Sequence, residues 1–418
     1  MIHGAIDWIT GLSPKMFYHA FWYSLVFEVP RYLVPALLVT GAALFSRPQQ
    51  RPRSRITGDR VSVLVVGHNE GGSIRRCVLS LHEQTLKGVE IICISDGSSD
   101  RMASEIRLME REGLIDRAVT LSLRGGKAAG VNLAAGLASR DILVVVDCDS
   151  SYERDCLERL IAPFADPTIG VVSGNLHVRN AGESLIAGLQ AIEYLISIDL
   201  GKRVSNLLDQ VTCASGALQA FRMSVVRRIG CMNATGGEDL DFTLRAREAG
   251  IGVIFAHDAV CYTDVPRTLS AFLRQRKRWE GDAIDVRLRR HGFTLNPFDR
   301  RFALSECYHQ LEFIFSNVVA AITFPVYVLM MFAWHGSEAL LFMLGVLLVA
   351  ICADLFLFTV ANLVAGRHAR WGLLLHCLIY SLFQTLVVRV FRANVYVREA
   401  FLRETLRDSY RPAKVRFH

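Results

Sequence analysis

Val61-Ser-Val-Leu-Val-Val-Gly67 runs directly into His68-Asn69-Glu70, and Ile142-Leu-Val-Val-Val146 runs into Asp147-Cys148-Asp149. Both are short, unbroken apolar runs, rich in valine and isoleucine, that stop at polar residues. A run without alternation, bounded in this way, reads as a strand buried on both faces of a parallel sheet. Further strands are expected at residues 90–95, 118–122, 171–173 and 253–256, with amphipathic helical patterns at 72–84 and 100–112. This alternation predicts an α/β domain with a mostly parallel sheet between about residues 61 and 288. Ligands of such sheets bind at the carboxyl ends of the strands.

Outward from this domain the chain becomes too apolar for a wholly soluble protein. Of its 418 residues 51% are hydrophobic and only 21% charged, and the mean hydropathy is positive. Apolar runs long enough to span a bilayer lie at 17–45, 313–334, 339–365 and 371–388. The first is interrupted by Glu28, Pro30 and Arg31, which predicts a kink or an internal ion pair, and it is too long for a cleaved signal peptide. Arg47, Arg51, Arg53 and Arg55 follow it and assign that end to the cytoplasm, with the N-terminus outside. The expected organisation is an N-terminal anchor (1–46), a cytoplasmic α/β domain with interfacial helices (47–290), C-terminal transmembrane helices (291–391) and a basic tail (392–418). That describes a multi-pass protein of the inner (plasma) membrane in contact with the lipid bilayer.

Ten cysteines without a C-x-x-C pair or zinc spacing predict reduced thiols in a cytosolic domain. The net charge of +7 suits anionic lipid, and no nucleic-acid partner is expected. One conflict stands. If 313–334 leaves the cytoplasm and 339–365 returns, the link with Arg367 and Arg370 is inside, so a full crossing by 371–388 would put the basic tail outside. We expect instead a cytoplasmic tail, with 371–388 kinked or re-entrant. That run carries His376, Tyr380, Ser381 and Gln384, and Asp354 lies in the run before it. Polar groups at this depth face a path or a subunit contact, or bond between helices.

The strand ends carry the chemistry. Ile91-Ile-Cys-Ile-Ser-Asp96 leads into Gly97-Ser98-Ser99-Asp100. Asp96 there can accept from a ribose or a base, or cap the next helix, a role that Asp100 fits. Asp147 and Asp149, one residue apart, repel unless a cation sits between them. Hard divalent ions such as Mg2+ or Mn2+ take such oxygens and bridge to phosphates. Gly125-Gly126-Lys127 is a turn before a helix, where amides and ammonium either meet an anion or are solvated. Gly236-Gly237-Glu238-Asp239-Leu240-Asp241 opens a helix at about 239–249. Acidic residues there suit the helix dipole, and one is placed to act as general base for an alcohol. Arg274-Gln275-Arg276-Lys277-Arg278-Trp279 is either a lipid-facing surface or a phosphate clamp beside an aromatic sugar platform.

Taken in order, Asp96 in D-G-S-S-D, D-C-D at 147–149, G-E-D at 237–239 and Q-R-K-R-W at 275–279 resemble the family 2 processive glycosyltransferases. These are the cellulose, chitin, hyaluronan and poly-N-acetylglucosamine synthases. The resemblance spans about residues 61–279. Ser173-Gly174-Asn175, Ile192-Glu193-Tyr194, Ser215-Gly216 and Ala220-Phe221-Arg222 look most like the poly-N-acetylglucosamine branch, through its catalytic subunit. It implies a glycosyltransferase A-type fold beside a helical transmembrane region, and an inverting transfer from a UDP-sugar, for this branch UDP-N-acetylglucosamine.

The resemblance also implies roles. Asn69, Glu70 and Asp96 match positions around the uridine, and Lys127 the lysine near the nucleotide. Asp147 and Asp149 match the nucleotide and metal carboxylates, with Asp149 touching Mg2+ or Mn2+. Asp239 matches the base that deprotonates the acceptor hydroxyl, with Glu238 beside it. Gln275, Arg278 and Trp279 match a clamp over the diphosphate and the acceptor sugar, and Ser215 and Gly216 line the acceptor entrance.

Two departures leave the sugar and acceptor open: Gly237 replaces the usual threonine, and Glu280-Gly281-Asp282 is unexpectedly acidic. A growing polysaccharide is the implied acceptor, with a small membrane partner subunit possible and no built-in cyclic-dinucleotide module expected. The alternative is a non-processive membrane glycosyltransferase making a lipid-linked sugar. A nucleotide-sensing transporter or scaffold is a rival of another class.

Overall fold

The structure is a computed structural model that describes residues 13–45, 56–233 and 236–407. The arginine cluster at 47–55 and the tail beyond 407 lie outside the described residues. In chain order the main elements are α1 (Pro14–Tyr23), α2 (Val29–Phe45), β1 (Val61–Gly67), α3 (Ile74–His82), β2 (Glu90–Asp96), α4 (Met102–Arg111), β3 (Arg117–Leu121), α5 (Lys127–Leu137), β4 (Ile142–Asp147), β5 (Ser151–Tyr152), α6 (Cys156–Ile161) and β6 (Ile169–Val178). They continue with α7 (Leu185–Glu193), α8 (Gly201–Leu207), β7 (Leu218–Arg222), α9 (Met223–Ile229), α10 (Glu238–Glu248), β8 (Gly252–Thr263), α11 (Leu269–Ile284), α12 (Leu304–Phe313), α13 (Ala320–His335), α14 (Ala339–Ala365), α15 (Leu374–Leu382) and α16 (Arg389–Leu402).

The eight strands form one sheet in the order β3-β2-β1-β4-β7-β6-β8-β5. β1 to β4 are mutually parallel, and so are β6 and β8, while β7 runs against both β4 and β6 and β5 runs against β8. The absence of alternation in β1 and β4 has the expected cause. Ile142, Val144 and Val146 pack on one face with Val61, Val63 and Val65. Leu143 and Val145 pack on the other with Leu64, Val66 and Ile92. Each such side chain removed from water contributes ~1.5–3 kcal/mol. β1 lies between β2 and β4, so the strand order reverses there and a crevice opens at their carboxyl ends.

Two strands were not expected. β5 is only two residues long, and β7, Leu218-Gln-Ala-Phe-Arg222, lacks an apolar run because Gln219 sits fully buried within it. β6 reaches ten residues where three were expected, since buried Asn175 and His177 hide its length from a hydropathy reading.

Among the described residues two helical segments, or three with a bent N-terminal pair, are long and apolar enough to cross a membrane. The segment Leu304–His368 holds 65 residues. As one helix it would extend ~100 Å against a hydrocarbon core of ~30 Å. It is broken at Gly336–Glu338, where Gly336 takes a φ of +54°. α13 and α14 are thus separate runs, as expected. The N-terminal pair bends by 44° between Pro14–Glu28 and Leu33–Gly41. The kink is where Glu28 and Pro30 predicted it, and Glu28 pairs with the distant Arg389. Tyr23 Oη donates to the Ala320 carbonyl at 2.7 Å and Tyr327 Oη to that of Ala20 at 2.6 Å, lacing α1 to α13.

The last apolar run is one continuous helix, Trp371–Leu402, with a π-helical stretch at Phe383–Val388. Both its ends meet the α/β domain. Arg370, just before it, donates to the Val178 carbonyl at 3.1 Å, and Arg392 near its end donates to Glu280 at 2.6 Å.

Candidate active site

A cleft of about 230 Å3 opens where β1, β2 and β4 end, lined by Gly67, His68, Glu70, Asp96, Arg124, Lys127 and Asp147 to Asp149. The sheet puts these residues together because β1 and β4 pair in register up to Val66 opposite Asp147. Asp96 is fixed by the turn that follows β3: the amides of Gly125 and Gly126 donate to its two oxygens at 2.6 and 2.7 Å. Those amides, expected as possible anion donors, are therefore spent on Asp96. Asp100 accepts from the amides of Gly71 at 2.8 Å and Met102 at 3.0 Å, the helix-opening role expected of it. Asn69 is not in the cleft lining. It has a φ of +61°, and its side-chain oxygen accepts from the Ser99 amide at 2.8 Å, tying two loops together.

Burial, with Asp147 and Glu70 nearby, pushes the Asp149 carboxyl up to about 6. Among the described residues no three His, Cys, Asp or Glu side chains form a preformed metal cage. The oxygen donors around Asp149 fit instead an ion of the Mg2+ or Mn2+ kind, which takes one or two carboxylates and completes its shell with water and substrate phosphate.

From the cleft a line of contacts leads to the G-E-D helix. Lys127 pairs with Asp147 and donates to the Gly216 carbonyl at 2.9 Å. The Gly216 amide donates to Asp239 Oδ2 at 2.9 Å. Burial opposes the Lys127 charge, but Asp147, Glu238 and Asp239 outweigh it and hold its pKa above the usual range. Burial and Asp239 raise the Glu238 carboxyl to about 7. Gly237 takes a φ of +69° at the start of α10, a conformation in which the usual threonine would be strained. Asp241 faces away from this line, bonded to Asn233 at 2.7 Å and Arg245 at 2.8 Å.

Ser215 accepts from Lys202 Nζ at 2.6 Å, and the same ammonium donates to Ser173 at 2.9 Å. Lys202 lines a second cavity of about 590 Å3 shared with Arg287, Tyr308, Asp354, Tyr380 and Gln384. Asp354 and Gln384 both line this cavity, and Asp354 also accepts from Ser381 of the neighbouring helix. Gln275, Arg278 and Trp279 sit on α11 outside the lining of either cavity. Arg276 is buried against Glu193 at 2.8 Å, and its guanidinium lies 4.5 Å from the Trp279 ring. One indole face is thus taken by a cation, while the residue remains 37% exposed.

The sequence reading did not single out His68, Arg124 and Lys202. His68 and Arg124 adjoin residues it did select, and Lys202 stands beside Arg203 in a mixed polar stretch that carries no local signal.

The chain matches glycosyl transferase family group 2 over residues 142–387, more than half its length, and belongs to that family. It is 30% identical to a poly-beta-1,6-N-acetyl-D-glucosamine synthase of Staphylococcus aureus over 247 residues, 58% of this chain and 59% of that one. It is 28% identical to an N-acetylglucosaminyltransferase of Rhizobium meliloti over 231 residues, 52% of this chain and 54% of that one. The matches thus span less than two thirds of these relatives. The fold is similar to that of mannosyltransferase PcManGT from Pyrobaculum calidifontis, solved with GDP-Man and Mn2+. The TM-score is 0.60 at 18% identity, over 88% of this chain and 98% of that one. The A-type fold with a mostly parallel sheet is therefore as expected.

Proposed function

We propose that this chain is a membrane-embedded inverting glycosyltransferase that transfers a sugar from UDP to the growing end of a β-linked polysaccharide. The observation that carries the reading is the unbroken line Asp147–Lys127–Gly216–Asp239, which joins the cleft to a carboxylate at the start of α10. In this reading Glu70 and Asp96 border the nucleotide, and Asn69 supports the loop that holds them. Asp239 removes the proton from the acceptor hydroxyl, whose oxygen attacks the anomeric carbon as the bond to the diphosphate breaks. Mg2+ or Mn2+ at Asp149 would neutralise charge on the leaving UDP when bound. Arg278 assists the diphosphate, with Gln275 and Trp279 brought nearer by movement of α11.

The relatives favour UDP-N-acetylglucosamine as donor, and the cavity reaching from Lys202 to Gln384 suits passage of a polymer. The α/β domain then faces the cytoplasm, the helices embed in the inner membrane, and a small partner subunit is compatible with their exposed apolar faces. A second reading, a sugar transferred to a lipid phosphate, is favoured by one feature. Lys202 and Arg287 both line the cavity, yet their hydrogen-bond partners are hydroxyls and an imidazole rather than carboxylates. Purified protein incubated with UDP-N-acetylglucosamine, UDP-glucose, UDP-glucuronate or UDP-galactose and Mg2+ or Mn2+ tests both readings. Polymer with UDP release supports the first, a solvent-extractable single-sugar lipid the second, and no turnover with any donor refutes both.

A further inference from the structure

His291 lies just past the π-helical stretch Asp285–Arg290 that extends α11, and it is buried. Its Nε2 is 3.2 Å from Asp241 Oδ1, and its Nδ1 meets Glu248 Oε1. An ionised carboxylate only accepts, so both ring nitrogens must donate and the ring is an imidazolium. Asp241 and Glu248 are two turns apart on α10, the helix that Glu238 and Asp239 open. Asp241 is further held by Arg245 and Asn233, and its amide donates to the Gly237 carbonyl at 2.9 Å. On the same helix Arg247 pairs with Glu306 of α12 at 2.8 Å, and Glu306 also meets His309. Phe293 lies with its ring tilted 6.0 Å from the His291 ring, with the Arg301 guanidinium over its own ring at 3.6 Å. The whole length of α10 is therefore strapped to the segment that leads toward the membrane helices.

We propose that His291 is a positioning residue for Asp239, a cationic brace that fixes α10 against the membrane-side segment so that Asp239 keeps its contact with Gly216. The proposal rests on the reading of Asp239 as the base. Burial works against the imidazolium, but Asp241 and Glu248 outweigh it and raise its pKa to about 9. A raised pKa means that the brace is complete at neutral pH and below, and is lost as pH rises through about 9. Arg245 and Arg301, the cations on this side of α10, stay charged throughout that range.

The test compares His291→Leu, which removes both donors, with His291→Arg, which keeps a cation with several. The Leu variant should lose roughly 10- to 100-fold in kcat, the scale for a misplaced reacting group, with the UDP dissociation constant and the donor KM unchanged. The Arg variant should recover most of kcat and lack the fall in rate expected of the native protein near pH 9. Hydrogen–deuterium exchange along 238–248 should quicken in the Leu variant and not in the Arg variant. The proposal is overturned by a Leu variant of normal kcat, by kcat and UDP affinity falling together, or by an Arg variant as impaired as Leu. If the native protein transfers no sugar, the proposed function fails while the exchange measurement still decides whether the brace exists.

Discussion

Gly216 is the residue on which the two halves of the site turn. Its carbonyl holds Lys127 and its amide holds Asp239, and a side chain there would begin only 3.2 Å from Lys127 Nζ and 3.3 Å from Asp239 Oδ2. Asp239→Asn should leave UDP binding nearly intact and lower transfer by ~10²–10⁴, the range for a lost general base. Single-turnover transfer beside equilibrium UDP binding measures this. Unchanged transfer would pass the role to Glu238, because Asp241 is committed to Arg245, Asn233 and His291.

Asp149 supplies a pH test. Its carboxyl is raised to about 6, and only the ionised form holds a hard cation, so Mn2+ affinity should be full at pH 7.5 and fall as pH drops through 6. Mn2+ titrations followed by electron paramagnetic resonance at pH 5 and pH 7.5 read this directly; equal affinities would remove Asp149 as the ligand. Strand-end positions made Asp96, Asp147 and Asp149 readable in the sequence, because a buried strand fixes where its last residue points. Asn69 was not readable, since its positive φ turns the side chain to the next loop.

At the scale of elements, α11 ties the catalytic and membrane-side parts together, and the two sequence departures find their reason there. Glu280 accepts from Arg392 at 2.6 Å and from Tyr396, both on α16. Asp282 lies over Gly236, where a side chain would begin 2.0 Å from Asp282 Oδ1. The acidic stretch after Trp279 is thus a counter-charge for α16 and a lid on the glycine pair. Its partner lies over a hundred residues away, which no local pattern displays. Glu280→Ala would leave the part-buried Arg392 without that carboxylate, at a cost below the ~3–5 kcal/mol of a fully buried pair. The melting temperature in detergent should fall clearly, and α16 should become more susceptible to protease. An unchanged melting temperature would show that α16 is held by its apolar contacts alone. The same reasoning explains β7: an interior strand that buries Gln219 and runs antiparallel between β4 and β6 is specified by its neighbours, not by its own hydropathy.

Over the whole molecule, the apolar runs fixed where helices lie but not how the last one is disposed. α13 and α14 pass through a turn at Gly336–Glu338, and the ring of His19 on α1 lies 5.2 Å from that of Trp334 beside that turn. The α1 helix therefore reaches that turn, while Val34 and Leu38 of α2 border the cavity shared with α8. The helix Trp371–Leu402 differs. Its 32 residues extend ~48 Å, yet the residue before it bonds to β6 and its far end bonds to α11. This helix, touching the same domain at both ends, is long and apolar enough to cross a bilayer, but these contacts lead us to expect that it does not carry the chain to the opposite side. Tyr380 and Ser381 on it are buried, and Tyr380 and Gln384 line the cavity. Charge patterning pointed the same way, because a full crossing would strand the basic tail outside. Cysteines placed at Lys87, Ser337 and Arg403 test the arrangement in sealed inverted vesicles. An impermeant thiol reagent should label positions 87 and 403 alike and leave 337 unlabelled until detergent is added. Protection at 403 together with reaction at 87 would mean that Trp371–Leu402 crosses the membrane and that its contacts to Val178 and Glu280 do not both exist in the bilayer.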